Sequence, residues 1–333
     1  MSTPKLIVVL GATGTQGGSV VNTFLSDNSW RIRGLTRNTS SSKAQALKER
    51  GVEVVEADLD DPASLEAAFQ GASAIYSVTD FWNSFASPEL RARRDKENPT
   101  QPMNIFTYHY EVQQGRNVFD AAAKIPTLER LIYSNLADCT KWSKGKYPNV
   151  WHFCSKQHAA DYGKETYPEL WKKTSLQQAG FYLSNFNGHP LLVPQKVADG
   201  VYHFISGLDK DVHLPWIAAE EDTGPAAKAL LESPPGKHLI VYREWLTPEQ
   251  FVEIWSRVLG VEAHWIRVPD GESIPNIPEE LVDEMKDNWA MWNEFGYEGR
   301  DDPTVIHPRD LEVKFPQPSV EEWMRKQDWS AVL

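Results

Sequence analysis

The sequence predicts an α/β fold: a doubly wound parallel sheet with a smaller mixed α/β C-terminal lobe. Three observations predict it. Short β-branched runs alternate with segments of helical spacing through the first half of the 333 residues. The links between them are short. The first run, LIVVL (6–10), is apolar without alternation, as in a parallel strand covered on both faces.

Each element follows from local pattern. After LIVVL comes GATGTQGG (11–18), then a segment with Val20, Val21, Phe24 and Leu25 at helical spacing. WRIRGLTR (30–37) reads as a strand and SSKAQALKERG (41–51) as a helix closed by glycine. VEVVEAD (52–58) is the third strand, and Asp61 or Pro62 opens the helix ASLEAAFQG. ASAIYSV (72–78), the helix YEVQQGRNVFDAAAKI (110–125) and LERLIYSN (128–135) continue the alternation. The connection Asp80–Thr107 is longer than compact domains usually hold, which makes it either a solvated insertion or a lid or subunit-contact segment.

A helix is expected from Trp151 to Tyr167, and SLQQAGFYLSN (175–185) returns a strand to the sheet. Strands are expected at 197–206, 211–217 and 237–242, and a short helix at PAAKALLES (225–233). Thr247, Pro248 and Gly260 bracket a further helix, and helical stretches fall near 278–295 and 319–328. Residues 1–185 are expected to form the parallel-sheet domain, with a long insertion at about 80–107. Residues 186–333 form the smaller lobe, with segments free to return to the core.

Composition bounds the function. Thirty-four Lys and Arg face 46 Asp and Glu, a net charge of −12, which disfavours direct nucleic-acid binding. No 18-residue apolar stretch appears, and no signal peptide is expected before the first strand, so no membrane partner is expected. Two cysteines, Cys139 and Cys154, suit a reducing compartment; the expected location is the cytoplasm, with the nucleus open to it. The histidines show no ligand spacing, so no metal is expected. Thirteen tryptophans, concentrated towards the C-terminus, have no assigned role beyond core or pocket wall.

The chemistry starts at Gly11-x-x-Gly14-x-x-Gly17. Placed between a buried strand and a helix, it reads as a phosphate-binding turn. Gly11 turns the chain, Gly14 admits a pyrophosphate, Gly17 packs helix on strand, and Thr13, Thr15 and Gln16 fill the loop. The second strand ends in Thr36-Arg37-Asn38, with no carboxylate to take a ribose 2′-hydroxyl. Arg37, with Lys43 nearby, suits a 2′-phosphate, so the expected cofactor is NADP(H); otherwise Arg37 is an ordinary exposed base. Asp58 and Thr79 end the third and fourth strands and should face the cofactor, unless Asp58 only caps the next helix. His152 and Lys156 share a helical face at i and i+4, a site for a ribose-binding lysine and a general acid or merely a solvated face.

These residues resemble the NmrA-like family, an atypical branch of the short-chain dehydrogenase/reductase superfamily with its NAD(P)-binding Rossmann fold. GATGTQGGSVV (11–21) resembles the family's glycine loop, EVQQGRNVFDAAAK (111–124) its fourth helix and LIYSNL (131–136) the strand that follows. GFYLSN (180–185), LPWIAAEEDTGP (214–225) and LTPEQFVEIWSRVLG (246–260) are similar to its later segments. The resemblance implies that Lys156 contacts the nicotinamide ribose. Catalytic members of the superfamily carry Tyr-x-x-x-Lys, and His152 stands where that tyrosine would be. HFCSK (152–156) is similar to members that bind NADP(H) as redox sensors, whereas related reductases of plant phenolics rely on the lysine alone.

Two readings follow. One is an NADP(H)-dependent oxidoreductase acting on a small aromatic or polyketide-like substrate, with Lys156 and His152 catalytic. Phe181 and Asn185 would line the substrate pocket, together with Tyr182 and Trp216. The other is a catalytically weak NADPH/NADP⁺ sensor that regulates a transcription factor or enzyme by contact. The partner is accordingly a small-molecule substrate or a regulated protein, and a homodimer is compatible with either reading.

Overall fold

The computed structural model describes residues 4–188, 192–197, 200–269, 272 and 277–333. In chain order the strands are β1 (Lys5–Val9), β2 (Trp30–Thr36), β3 (Glu53–Glu56), β4 (Ala74–Ser77), β5 (Arg130–Asn135), β6 (Thr174–Ala179), β7 (Phe181–Tyr182), β8 (Gln195–Lys196), β9 (Tyr202–Ser206), β10 (Leu214–Ile217), β11 (His238–Val241), β12 (Glu244–Leu246), β13 (Ala263–Arg267) and β14 (Val305–Ile306). The helices are α1 (Thr15–Leu25), α2 (Ser42–Glu49), α3 (Pro62–Phe69), α4 (Phe81–Phe85), α5 (Pro88–Glu97), α6 (Met103–Ala122), α7 (Cys139–Trp142), α8 (Trp151–Thr166), α9 (Pro168–Trp171), α10 (Ala219–Glu232), α11 (Pro248–Leu259), α12 (Val282–Phe295) and α13 (Val320–Lys326).

Eight strands form one parallel sheet in the order β14-β11-β6-β5-β4-β1-β2-β3. The doubly wound α/β class read from the sequence is the class observed. Ile7, Val8 and Val9 of β1 are wholly buried, the outcome expected of an unalternating apolar strand with helices on both faces. Strand order reverses between β1 and β4, so the crevice beyond their carboxyl ends is where such sheets bind ligands. Two three-stranded sheets, β12-β10-β7 and β13-β9-β8, belong to the smaller lobe. From beyond residue 185, β11 and β14 join the main sheet.

Several elements depart from their expected bounds for identifiable reasons. The strand expected at 175–185 stops at Ala179, and Phe181–Tyr182 pairs instead with Trp216–Ile217. A Cβ at Gly180 would lie 2.3 Å from the Pro215 carbonyl oxygen and 2.8 Å from that of Val241, so the chain crosses between sheets where only glycine fits. The helix α10 starts six residues before Pro225, where a start was expected, and runs through it. The preceding residue, Gly224, donates its N–H to Ser19 Oγ at 3.0 Å, and a Cβ there would lie 2.2 Å from Ser19 O. Close packing on α1 thus outweighs the hydrogen bond that proline cannot make. Of the strand expected at 197–206, positions 198–199 lie outside the described residues and Tyr202–Ser206 is a strand.

The tryptophans are mostly core. Trp216, Trp255 and Trp323 are fully buried, and Trp216 stacks on Phe251 with centroids 4.2 Å apart. A lobe of short strands and one-turn elements gains most of its buried area from such large rings. Cys139 and Cys154 are free thiols buried in the same aromatic cluster. Among the described residues, no helix is long and apolar enough to cross a membrane.

At the sheet edge, burial lowers the His238 imidazole to about 4, against a weaker opposing pull from Asp302. Its Nδ1 bonds Thr304 Oγ1 at 3.0 Å, and its Nε2 has no partner among the described residues. The native state therefore refuses a proton that the unfolded chain accepts near its ordinary 6.5. Stability is full above that value and falls as pH drops from there towards 4, by about 3 kcal/mol from this group. Denaturant midpoints at pH 7.5 and 4.5 should differ less in His238→Gln than in the natural chain.

Candidate functional site

One cavity of about 830 Å³ runs from the glycine turn to the small lobe. At the sheet end, Gly11 has φ +62°, and a Cβ on Gly17 would fall 2.2 Å from Gly11 O. The turn therefore needs glycine at both positions. The helix α1 opens with Gly14 as cap, without a side-chain cap bond and without an acidic residue in its first turn. Its first N–H groups and positive dipole end are left facing the cavity. Thr13, Gly14 and Thr15 line it there.

Gln16 is held by protein. Its Oε1 accepts from Tyr76 Oη at 2.6 Å and Ser134 Oγ at 2.8 Å, and its Nε2 donates to Tyr182 Oη at 2.6 Å. This ties the helix start to β4, β5 and the small lobe, so its side chain shapes the cavity wall. Arg37 follows β2, lines the cavity, is exposed, and makes no ion pair with a described residue. Lys43 does not line the cavity.

Asp58 lines the cavity while its Oδ1 accepts from the Asp60 N–H at 3.0 Å; the cap of α3 is Asp61. Asp60 is held by Tyr110 and, at 3.1 Å, by Gln114 Nε2. Thr79 lies buried on the same wall, and Asn135 donates to Gln157 while its own Oδ1 is buried without a partner. The long connection folds as α4, α5 and the first turn of α6, which starts at Met103 rather than at the expected Tyr110. Phe81, Trp82 and Leu90 from it line the cavity.

Lys156 and His152 both face this space from α8, and each has a buried carboxylate partner. Lys156 Nζ donates to Glu111 of α6, whose other oxygen accepts from Ser155; Glu111 is 0% exposed. His152 Nδ1 lies 2.6 Å from Glu284 Oε1 of α12, which also accepts the His152 backbone N–H at 3.0 Å. Sequence reasoning missed both carboxylates. A signal existed: Glu111 shares its helical stripe with buried Thr107, Gln114 and Gly115, and Glu284 shares one with Leu281, Asn288 and Trp292. A carboxylate on a buried stripe requires a partner.

Beyond His152 the cavity becomes aromatic, walled by Phe81, Trp82, Phe181, Trp289, Trp292 and Tyr297. Phe181 and Asn185 lie on this wall; Trp216 does not line the cavity and belongs to the core. Three phenols line the cavity, Tyr110, Tyr182 and Tyr297, and burial pushes each well above its ordinary value. Tyr110 donates to Asp60, and Tyr297 Oη donates to Ala179 O at 2.9 Å. None supplies an easily ionised hydroxyl, and the His152 ring lies on the same wall.

Known proteins share this architecture. An NmrA-like family domain-containing oxidoreductase, cpsB, of Aspergillus campestris is 26% identical over 294 residues, 83% of this chain and 80% of that protein. The crystal structure of NmrA, a negative transcriptional regulator, aligns with a TM-score of 0.76 at 22% identity, covering 98% of this chain and 99% of that one. Citrobacter sp. triphenylmethane reductase complexed with NADP(H) aligns with a TM-score of 0.67 at 19% identity, covering 97% and 99%. At such identities the two structures bear on the fold alone. The family model described as the NmrA-like family matches residues 3–331, and the chain belongs to that family.

Proposed function

We propose that the chain binds NADP(H) and reduces a small, flat aromatic or polyketide-like substrate. The observation that carries this reading is one continuous cavity, with an anion-suited glycine turn at one end, an aromatic chamber at the other, and Lys156 and His152 between them. The donor set fits the cofactor. The N-terminus of α1 suits a pyrophosphate, Arg37 a 2′-phosphate, Asp58 ribose hydroxyls and Lys156 the nicotinamide ribose. The unpartnered Asn135 Oδ1 on the cavity wall is a buried acceptor that a bound amide group would satisfy.

NADPH supplies a hydride when bound. Lys156 orients the ribose and is itself held by Glu111. The chamber rings exclude water and stack an unsaturated substrate. His152 Nε2 gives a proton to the atom that gains negative charge.

Mixing the protein with NADPH and a panel of quinones, enones and phenolic ethers, while following nicotinamide absorbance, tests this. Turnover abolished in Lys156→Ala is the expected result. Tight NADP(H) binding with no turnover across the panel, together with a co-purifying protein, returns the sensor reading, which the histidine at position 152 favours. Arg37→Ala is expected to weaken NADPH by about 10- to 100-fold, the worth of a charge-assisted contact, and to leave NADH nearly unchanged. Titration by fluorescence with both nucleotides checks it.

A further inference from the structure

Resting on that reading of the site, we propose that Glu284 and Asn104 are positioning residues for His152, so that a helix of the small lobe completes the proton-transfer half of the centre. Glu284 is 0% exposed, and no lysine or arginine pairs with it among the described residues. Its oxygens are satisfied instead by the His152 backbone N–H at 3.0 Å, by His152 Nδ1 at 2.6 Å and by Asn104 Nδ2 at 3.1 Å. Asn104 is oriented in turn, since its Oδ1 accepts the Ile105 N–H at 2.9 Å and leaves Nδ2 to face the carboxylate.

A carboxylate only accepts, so the hydrogen of this contact belongs to Nδ1. Nε2 is then the ring atom left to exchange a proton, and it makes no bond to a described residue although the ring lines the cavity. The rings of Trp82 and Phe81, with centroids 4.8 and 5.8 Å away, confine the imidazole from the sides. The helix that carries Glu284 also carries Asn288, Trp289 and Trp292 of the chamber wall, which couples substrate seating to ring orientation.

This arrangement suits a conjugated ketone or quinone whose oxygen lies against Nε2. The carbon–oxygen π bond breaks as the hydride from NADPH reduces the carbon, and NADP⁺ is formed. The donor is the imidazolium, whose charge Glu284 faces: its Nε2–H bond breaks as the new O–H bond forms, the ring is left neutral with its hydrogen on Nδ1, and solvent then returns a proton to Nε2.

The test uses ¹⁵N-histidine-labelled protein, with His152 assigned by its loss in His152→Gln, alongside kinetics of the NADPH-loaded enzyme. The neutral ring should carry its hydrogen on Nδ1, and Glu284→Gln should return population to the Nε2–H tautomer. In the same variant kcat should fall by about 10- to 100-fold, with the KM for NADPH changed less than about twofold. Should Glu284→Gln not fold, Asn104→Leu should give the same tautomer shift in smaller measure, and added imidazole should restore turnover to His152→Ala. Identical tautomers in the natural chain and the variants, or a natural kcat in Glu284→Gln, overturn the positioning role. NADPH binding with no carbonyl turnover in the natural chain overturns the reductase reading instead, and the tautomer measurement still decides the positioning.

Discussion

Gly17→Ala is expected to lose both NADPH binding and a large part of the stability of the chain, whereas Gly18→Ala, one residue on, should lose neither. A Cβ at Gly17 would sit 2.2 Å from Gly11 O, 2.5 Å from Gly11 C and 2.7 Å from Leu10 O. All three are backbone atoms of the turn after β1, and none can withdraw as a flexible side chain would. The turn itself is fixed by Gly11 at φ +62°, so relief requires α1 to lift off the strand. Overpacking of this severity costs about 3 kcal/mol or more. It also displaces the N–H groups at the helix start from any phosphate they serve. At Gly18 the nearest atom to a new Cβ is Ala12 O at 3.7 Å, an ordinary contact. There the gain in helix propensity should stabilise the chain by about 0.5–1 kcal/mol. Thermal melts and NADPH titrations on the two variants form the check; equal losses in both would refute the packing argument.

The features legible in the sequence were those with local causes. The βα alternation, the glycine turn, Arg37 after β2 and the shared face of His152 and Lys156 each depend on neighbours within a few residues. What escaped depends on distant partners. Glu111 and Glu284 acquire meaning only when α6 and α12 pack on α8, 45 and 132 residues away in sequence. The course of α10 through Pro225 depends on contact with Ser19, and the crossover at Gly180 on β10 and β11. That residues 80–107 reach the cavity is likewise a matter of where Phe81 and Trp82 end up. The strand β14 is only two residues long and carries no periodicity to read.

Lys156→Met should destabilise the chain by about 3–5 kcal/mol, far more than the loss of an exposed lysine, and adding Glu111→Gln should recover most of that loss without recovering turnover. Glu111 is 0% exposed and Lys156 is 8% exposed, so each ion's desolvation is offset mainly by the other. Removing the ammonium leaves a carboxylate in the interior with Ser155 as its remaining donor, which is the costly half of breaking a buried pair. Replacing that carboxylate by the uncharged amide removes the stranded charge. The Ser155 hydroxyl can still be satisfied by the amide oxygen. The double variant therefore separates two roles that Lys156→Ala confounds, its partnership in the core and its contact with the ribose. Chemical denaturation of the single and double variants gives the coupling energy. NADPH turnover on the refolded double variant then isolates the ribose contact. Full turnover in that protein would mean that Lys156 serves the fold alone, with His152 left as the only side chain on α8 acting in the chemistry.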